Sequence, residues 1–237
     1  MVATPIGNLE DITLRAVRVL RSVGLIAAED TRRTAKLLAR YKIRKPMVSY
    51  HDFNKQRVAP GLLKKIAAGE DLALVSDAGS PGISDPGFHL VNLAIADGIQ
   101  VVPIPGPSSV VCALQVSGLP TDCFTFEGFL PRKKGKRGAR IRALAQEPCT
   151  MVFFESPNRL AATVSELLDG FGDRRVAVCR ELTKVYEEVT RTRLSDAAKE
   201  LAGGTVRGEV VLVVEGKRKR KRVGGEATAA QEGTVEE

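Results

Sequence analysis

The segment Ser76 to Gly87, SDAGSPGISDPG, constrains the fold of this chain more than any other. It follows the apolar run Leu72 to Val75, which reads as a buried strand, and it packs three glycines, two prolines and two aspartates into one loop. Open α/β sheets bind ligands just beyond the carboxyl ends of their strands, so a loop of this kind at that place predicts a ligand cleft. Gly79 and Gly82 remove side chains and let the backbone approach a flat ligand, while Pro81 and Pro86 stiffen the loop and reduce the entropy lost on binding.

The same alternation of short apolar strands, turn residues and helical patterns runs along the chain. After the turn Pro5 to Asn8, Ile12, Ala16, Val17, Leu20 and Val23 recur at helical spacing as far as Gly24. Strands are then predicted at Leu25 to Ala28, Leu72 to Val75 and Gln100 to Ile104. Helices are predicted at Thr31 to Tyr41, Ala59 to Ala68, Pro86 to Asp97 and Ser108 to Val116. Beyond a connector holding Gly118, Pro120 and Asp122, a second series sets strands at Phe124 to Phe129, Met151 to Phe154, Val176 to Arg180 and Val210 to Val214. Its helices fall at Gly138 to Ala145, Pro157 to Leu168 and Leu194 to Ala202. The expected architecture is α/β: one α/β domain over residues 1–121, a second over 122–216, a cleft between them, and a disordered basic and acidic tail over 217–237.

With 237 residues and 43% hydrophobic residues the chain can bury a sizeable core. No apolar run approaches the roughly 20 residues that span a bilayer, and the first residues lack the pattern of a secretory signal, so a cytoplasmic location is expected. Cys112, Cys123, Cys149 and Cys179 are far apart among apolar neighbours and form no C-x-x-C pair; they read as small buried hydrophobes, and no metal is signalled. The formal charge of +8 matters less than its distribution. Lys217 to Arg222 is unbroken KRKRKR, and a second basic cluster, Arg132, Lys133, Lys134, Lys136, Arg137, Arg140 and Arg142, follows Pro131. The second is the stronger candidate for phosphate contact.

Other segments repeat the design of the long loop. Val2 to Asn8, VATPIGN, ends a short strand in a turn that can present free N–H groups to a ligand. Pro105-Gly106-Pro107-Ser108-Ser109 does the same after the next strand, where the serines can equally cap a helix. Glu29 to Arg32, Ser49 to Asn54, Glu155 to Arg159 and Glu181 to Lys184 place polar groups at strand ends, where they serve either chemistry or helix starts. His89, inside a helical pattern, reads as a packing residue. A nucleotide hydrolase is excluded by the missing G-K-[ST] of a phosphate-binding loop, and a dinucleotide fingerprint is absent too.

Taken together and in order, VATPIGN, EDTRRT, SYHDFN, SDAGSPGISDPG, PIPGPSS, FEGFLPRKKGKR, ESPNR, RELTKVYEE and RGEVVLVVEG resemble the small-subunit ribosomal RNA cytidine 2′-O-methyltransferases, a branch of the tetrapyrrole methylase fold family. The resemblance covers roughly Val2 to Gly216. It implies two α/β domains with S-adenosyl-L-methionine in the cleft between them, a homodimer, and 16S ribosomal RNA of the small subunit as substrate. The implied cofactor site comprises Pro5, Gly7, Asp77, Ala78, Gly79, Ser80, Ile83, Ser108, Ser109, Phe154, Leu182 and Val210. EDTR, SYHDFN and FLPRKKGKR resemble segments that set the ribosomal enzymes apart from porphyrin-methylating relatives, which makes Arg132, Lys133, Lys134, Lys136 and Arg137 candidates for binding RNA. A ribose hydroxyl needs a proton acceptor or a charged partner to become nucleophilic. Asp30, Asp77, His51 and Glu181 are possible bases and Arg32 and Lys184 possible electrostatic partners; Asp30, Arg32 and His51 are taken as the catalytic set. Two departures stand out: the segment before VATPIGN is shorter than the family pattern, and Asn158 stands where the family commonly has His. The alternatives are a methyltransferase of the same fold acting on a tetrapyrrole or other small molecule, and a non-catalytic RNA-binding assembly factor.

Overall fold

The computed structural model describes residues 1–204 and 206–217. The expected tail lies outside the described residues but for Lys217. The first half contains a parallel sheet in the order β2-β1-β3, formed by β1 (Leu25–Ala28), β2 (Met47–Ser49) and β3 (Leu72–Val75). Around it stand α1 (Leu14–Ser22), α2 (Thr31–Arg40), α3 (Lys55–Ala67) and α4 (Gly87–Ala96). All four residues of β1 are buried, as a parallel strand covered on both faces requires. Alternation along β1 divides the core: Ile26 and Ala28 pack with Leu20 and Leu37 of α1 and α2, while Leu25 and Ala27 pack with Leu62 and Leu90 of α3 and α4.

The second half contains a mixed sheet in the order β4-β5-β8-β6-β7. Its strands are β4 (Phe124–Phe129), β5 (Thr150–Glu155), β6 (Arg175–Arg180), β7 (Glu188–Arg193) and β8 (Val210–Val214). On one face lie α6 (Lys134–Leu144), α7 (Pro157–Phe171) and α8 (Leu194–Leu201), whose core includes Met151, Phe153, Leu160 and Leu212. On the other face α5 (Ser109–Ser117) sets Val110, Ala113 and Leu114 against Val152, Ala177 and Val211, with Ile6 of the first turn in the same cluster. The sheets are therefore joined by packing as well as by the chain.

The expected strand over Gln100 to Ile104 does not form; only a single bridge pairs Ile104 with Val2. Pro103 has no N–H to give a ladder, and the main-chain bonds that form join Ile104 to Met1 and Ala3. Two strands escaped the sequence reading. β2 is three residues long, and β7, EVTRTR, alternates charged with β-branched residues and exposes much of its surface. Helix α6 begins at Lys134 rather than Gly138, which carries part of the basic cluster onto a helix. The cysteine reading also needs correction. Cys123 and Cys149 are joined by a disulfide, because they immediately precede the adjacent parallel strands β4 and β5, with Cα atoms 5.1 Å apart. Cys112 and Cys179 remain free. Among the described residues, no helix is long and apolar enough to cross a membrane.

Candidate functional site

A cavity of about 410 Å³ opens between the carboxyl ends of β1 and β3 and those of β5 and β6. The long loop forms one wall, and local chemistry explains its course. Ser76 is buried, and its hydroxyl donates to the carbonyl of Ala78, folding the chain back just after β3. Thr4 of the first turn then pairs with Gly79 through both main-chain bonds, 2.9 and 3.0 Å, and donates its hydroxyl to the Ser76 carbonyl. Gly79 has φ +76°, in the left-handed region where a side chain is strained. Asp85 closes the far end by accepting from the N–H groups of Gly82 and Gly87 at 2.7 and 2.6 Å. Both of its oxygens are thereby committed to the loop.

The opposite wall is made of side chains. Phe154, at the end of β5, meets Phe126 and Phe129 edge-on with ring centroids 4.9 and 5.5 Å apart. Leu182, Val210 and Val211 continue this apolar surface. Cys179 also lines the cavity; burial pushes its thiol up to about 11, which leaves it protonated and unsuited to act as a nucleophile. At the rim, Glu181 and Thr183 hold φ values of 52° and 68°, uncommon for residues with side chains. Lys184 fixes that turn through ion pairs with Glu181 and Glu209 at 2.9 and 3.1 Å. The turn meets the first half of the chain directly, where Asn8 donates its N–H to the Thr183 hydroxyl at 3.1 Å.

Of the residues expected to hold a cofactor, Asp77, Ala78, Gly79, Ser80, Ile83, Ser108, Ser109, Phe154, Leu182 and Val210 all line this cavity. Pro5 and Gly7 do not; Ile6 between them does, and Gly7 is pressed against the turn at Thr183. Asp30, Arg32 and His51 are likewise outside the lining. Asp30 caps α2 by accepting the Arg32 N–H and forms an ion pair of 2.8 Å with the Arg32 guanidinium. Those bonds hold its carboxyl well below the usual carboxylate range and raise Arg32, so Asp30 is a weak base and the pair satisfies itself. His51 donates its backbone N–H to Asn54 and meets the fully exposed Phe53 edge-on, while its Nδ1 is buried without a hydrogen-bond partner.

Among the basic residues, Arg132, Lys133, Lys134 and Lys136 face solvent at the start of α6. Arg137 does not: its guanidinium binds Glu166 of α7, with Nε 2.6 Å from the carboxylate, and also donates to the Arg132 carbonyl. Glu29, Arg33, Phe129 and Glu209 also line the cavity, although no role was expected of them singly. Position was the available signal for Glu29, since it directly follows a buried strand. Phe129 and Glu209 carried none.

Comparison with known proteins gives the same fold. The family model described as Tetrapyrrole (Corrin/Porphyrin) Methylases matches residues 1–198. The chain is 50% identical over 216 residues to a protein of Halalkalibacterium halodurans named Ribosomal RNA small subunit methyltransferase I, covering 91% of this chain and 75% of that protein. A Thermotoga maritima protein of the same name is 46% identical over 217 residues, covering 92% of this chain and 97% of the relative. Among solved structures, uroporphyrin-III C-methyl transferase from Thermus thermophilus complexed with S-adenyl homocysteine aligns with a TM-score of 0.63 at 20% identity, over 90% of this chain and 95% of that one.

Proposed function

The chain belongs to the tetrapyrrole methylase family, and from that premise we propose that it methylates 16S ribosomal RNA of the small subunit, at the 2′-hydroxyl of a cytidine, using S-adenosyl-L-methionine. The observation that carries this reading is the cavity: the long loop faces an aromatic and aliphatic wall, in a chain 46 to 50% identical to relatives named for ribosomal RNA methylation. Its volume of about 410 Å³ falls within the usual range for small-molecule sites. Apolar side chains suit a flat base, and the carbonyls and hydroxyls of the loops suit polar ends of the same ligand.

When bound, S-adenosyl-L-methionine supplies a methyl group on a positively charged sulfur. This chain's residues position the partners and exclude water. Ala78, Gly79 and Ser80 offer backbone, Ser108 and Ser109 offer hydroxyls, and Phe154, Leu182 and Val210 keep the opposite side dry. Pro5 and Gly7 shape the cavity from behind. Arg132, Lys133, Lys134 and Lys136 contact RNA phosphates, while Arg137 holds their helix in place. The Asp30–Arg32 pair and His51 act as positioning groups beyond the carboxyl ends of β1 and β2. We further assign residues 1–121 and 122–216 to separate domains, and the protein to the cytoplasm as a homodimer.

The test is incubation of the protein with methyl-labelled S-adenosyl-L-methionine and small ribosomal subunits lacking the modification. Label is expected in 16S RNA, in nucleosides resistant to alkaline cleavage on their 3′ side. Label that enters a porphyrin and stays off RNA sinks the reading.

A further inference from the structure

Five acidic side chains line the cavity: Glu29, Asp77, Asp85, Glu155 and Glu209. Four are already engaged. Asp77 accepts the Asp30 N–H at 2.9 Å and pairs with Arg33 at 3.5 Å. Both oxygens of Asp85 cap the long loop. Glu155, 3% exposed, is held by Ser156, Thr163 and Arg159. Glu209 pairs with Lys184. Glu29 differs from all of them. It stands at the carboxyl end of β1; among the described residues no cation lies in ion-pair contact with it, and its Oε2 accepts only a long bond of 3.3 Å from the Asp77 N–H. Among the described residues its Oε1 has no hydrogen-bond partner.

We propose that Glu29 is the proton acceptor for the hydroxyl that receives the methyl group, an inference that rests on the methyl-transfer reading above. As the acceptor oxygen bonds to the methyl carbon, the carbon–sulfur bond breaks with its electron pair passing to sulfur. The sulfonium donor becomes a neutral thioether, and the hydroxyl proton moves to Oε1 of Glu29. The surroundings suit that task. Burial raises the affinity of Glu29 for a proton; the Asp77 N–H opposes this, and the negative charges of Asp77, Asp85 and Asp52 add to the rise. Arg33, the cation on this wall, faces Asp77. A carboxylate raised in this way takes up a proton more readily than an ordinary one, whereas Asp30 is held in the opposite direction by Arg32.

The full-length protein is compared with its Glu29→Gln and Glu29→Asp variants in single-turnover methyl transfer to small ribosomal subunits. Calorimetry of S-adenosyl-L-methionine binding and thermal midpoints report whether each variant is intact. Glu29→Gln is expected to slow transfer about 100-fold or more while altering donor affinity by less than about threefold, and Glu29→Asp to recover at least about tenfold. The unaltered protein's rate rises with pH as Glu29 ionises above the ordinary glutamate range, and the Gln variant loses that limb. A readout free of turnover is carbon-13 NMR of labelled carboxyls, in which one glutamate signal titrates above the others and is missing from the Gln variant. A folded, donor-binding Gln variant that transfers at the unaltered rate, or the absence of such a signal, overturns the inference alone. No transfer to RNA by the unaltered protein overturns the reading beneath it as well.

Discussion

The two walls of the cavity are built from different materials. On the side of the first sheet the surface is formed by the loop from Ala78 to Ser80, held by paired bonds between Thr4 and Gly79, and by the charged side chains of Glu29, Arg33 and Asp77 beside it. On the side of the second sheet it is side chain: Phe129, Phe154, Leu182, Val210 and Val211. A main-chain wall places demands on every residue that forms it, because small side chains, left-handed torsions and fixed prolines are all needed at set positions. A side-chain wall asks only for apolar bulk, which the core asks for as well. Binding surface can therefore be conspicuous in one half of a site and indistinguishable from packing in the other.

The sharpest way to break this arrangement is at the joint between the walls. A Cβ on Gly7 would stand 2.5 Å from Lys184 Cγ, 2.6 Å from Thr183 Oγ1 and 2.9 Å from the Leu182 carbonyl oxygen. The lysine can move, but the carbonyl belongs to a turn already held at unusual torsions by Glu181 and Lys184. Gly7→Val is expected to lower stability by about 3 kcal/mol, at the upper end for overpacking, and to abolish donor binding. Urea unfolding and calorimetry measure the two effects. A variant that keeps full stability would mean that the walls do not interlock there.

The side-chain wall should fail more gently. Phe154 is only partly buried and touches Phe126 and Phe129. Phe154→Ala is expected to cost about 2 kcal/mol, less than a fully buried phenylalanine, because the exposed part of the ring has little packing to lose. Donor affinity falls with it, whereas Phe154→Leu restores most of the stability and less of the affinity. Equal recovery of both would assign the ring to packing alone.

These differences also explain what could be read in advance. The cavity residues of SDAGSPGISDPG were legible because their composition is hard to account for otherwise, and Ser108-Ser109 because of their place after the next strand, since helix capping alone would explain the serines. Phe154, Leu182 and Val210 came from resemblance, since nothing in an apolar strand end marks it as cavity rather than core. Glu29 was visible within EDTR but overshadowed by Asp30, whose pairing with Arg32 two residues on is a matter of helix geometry. In the fold, β1 and β3 stood out as short buried runs. β7 did not, since an exposed strand needs few apolar residues. The Cys123–Cys149 link was hidden by the sequence separation of 26 between its partners, a distance that closes only when β4 and β5 pair.

The smallest effect is expected beneath the basic segment, on the side-chain half of the molecule. Arg137 and Glu166 join α6 to α7, with side chains 11% and 23% exposed. The Arg137 guanidinium holds the Glu166 carboxyl below its ordinary value, and Arg137 itself is raised. A carboxylate depressed in the folded state adds stability above its unfolded pKa, and the gain disappears as pH falls through the folded one. Glu166→Gln should therefore cost about 1 kcal/mol near pH 7, as expected for a well-formed, partly exposed pair. The cost should shrink from about pH 4.5 downward, as the unaltered protein loses the same interaction by protonation. Urea midpoints of both proteins across that range decide the matter. Parallel curves would mean that the pair adds no charge-dependent stability, and that α6 presents its lysines through apolar packing at Ile141 and Leu144 alone.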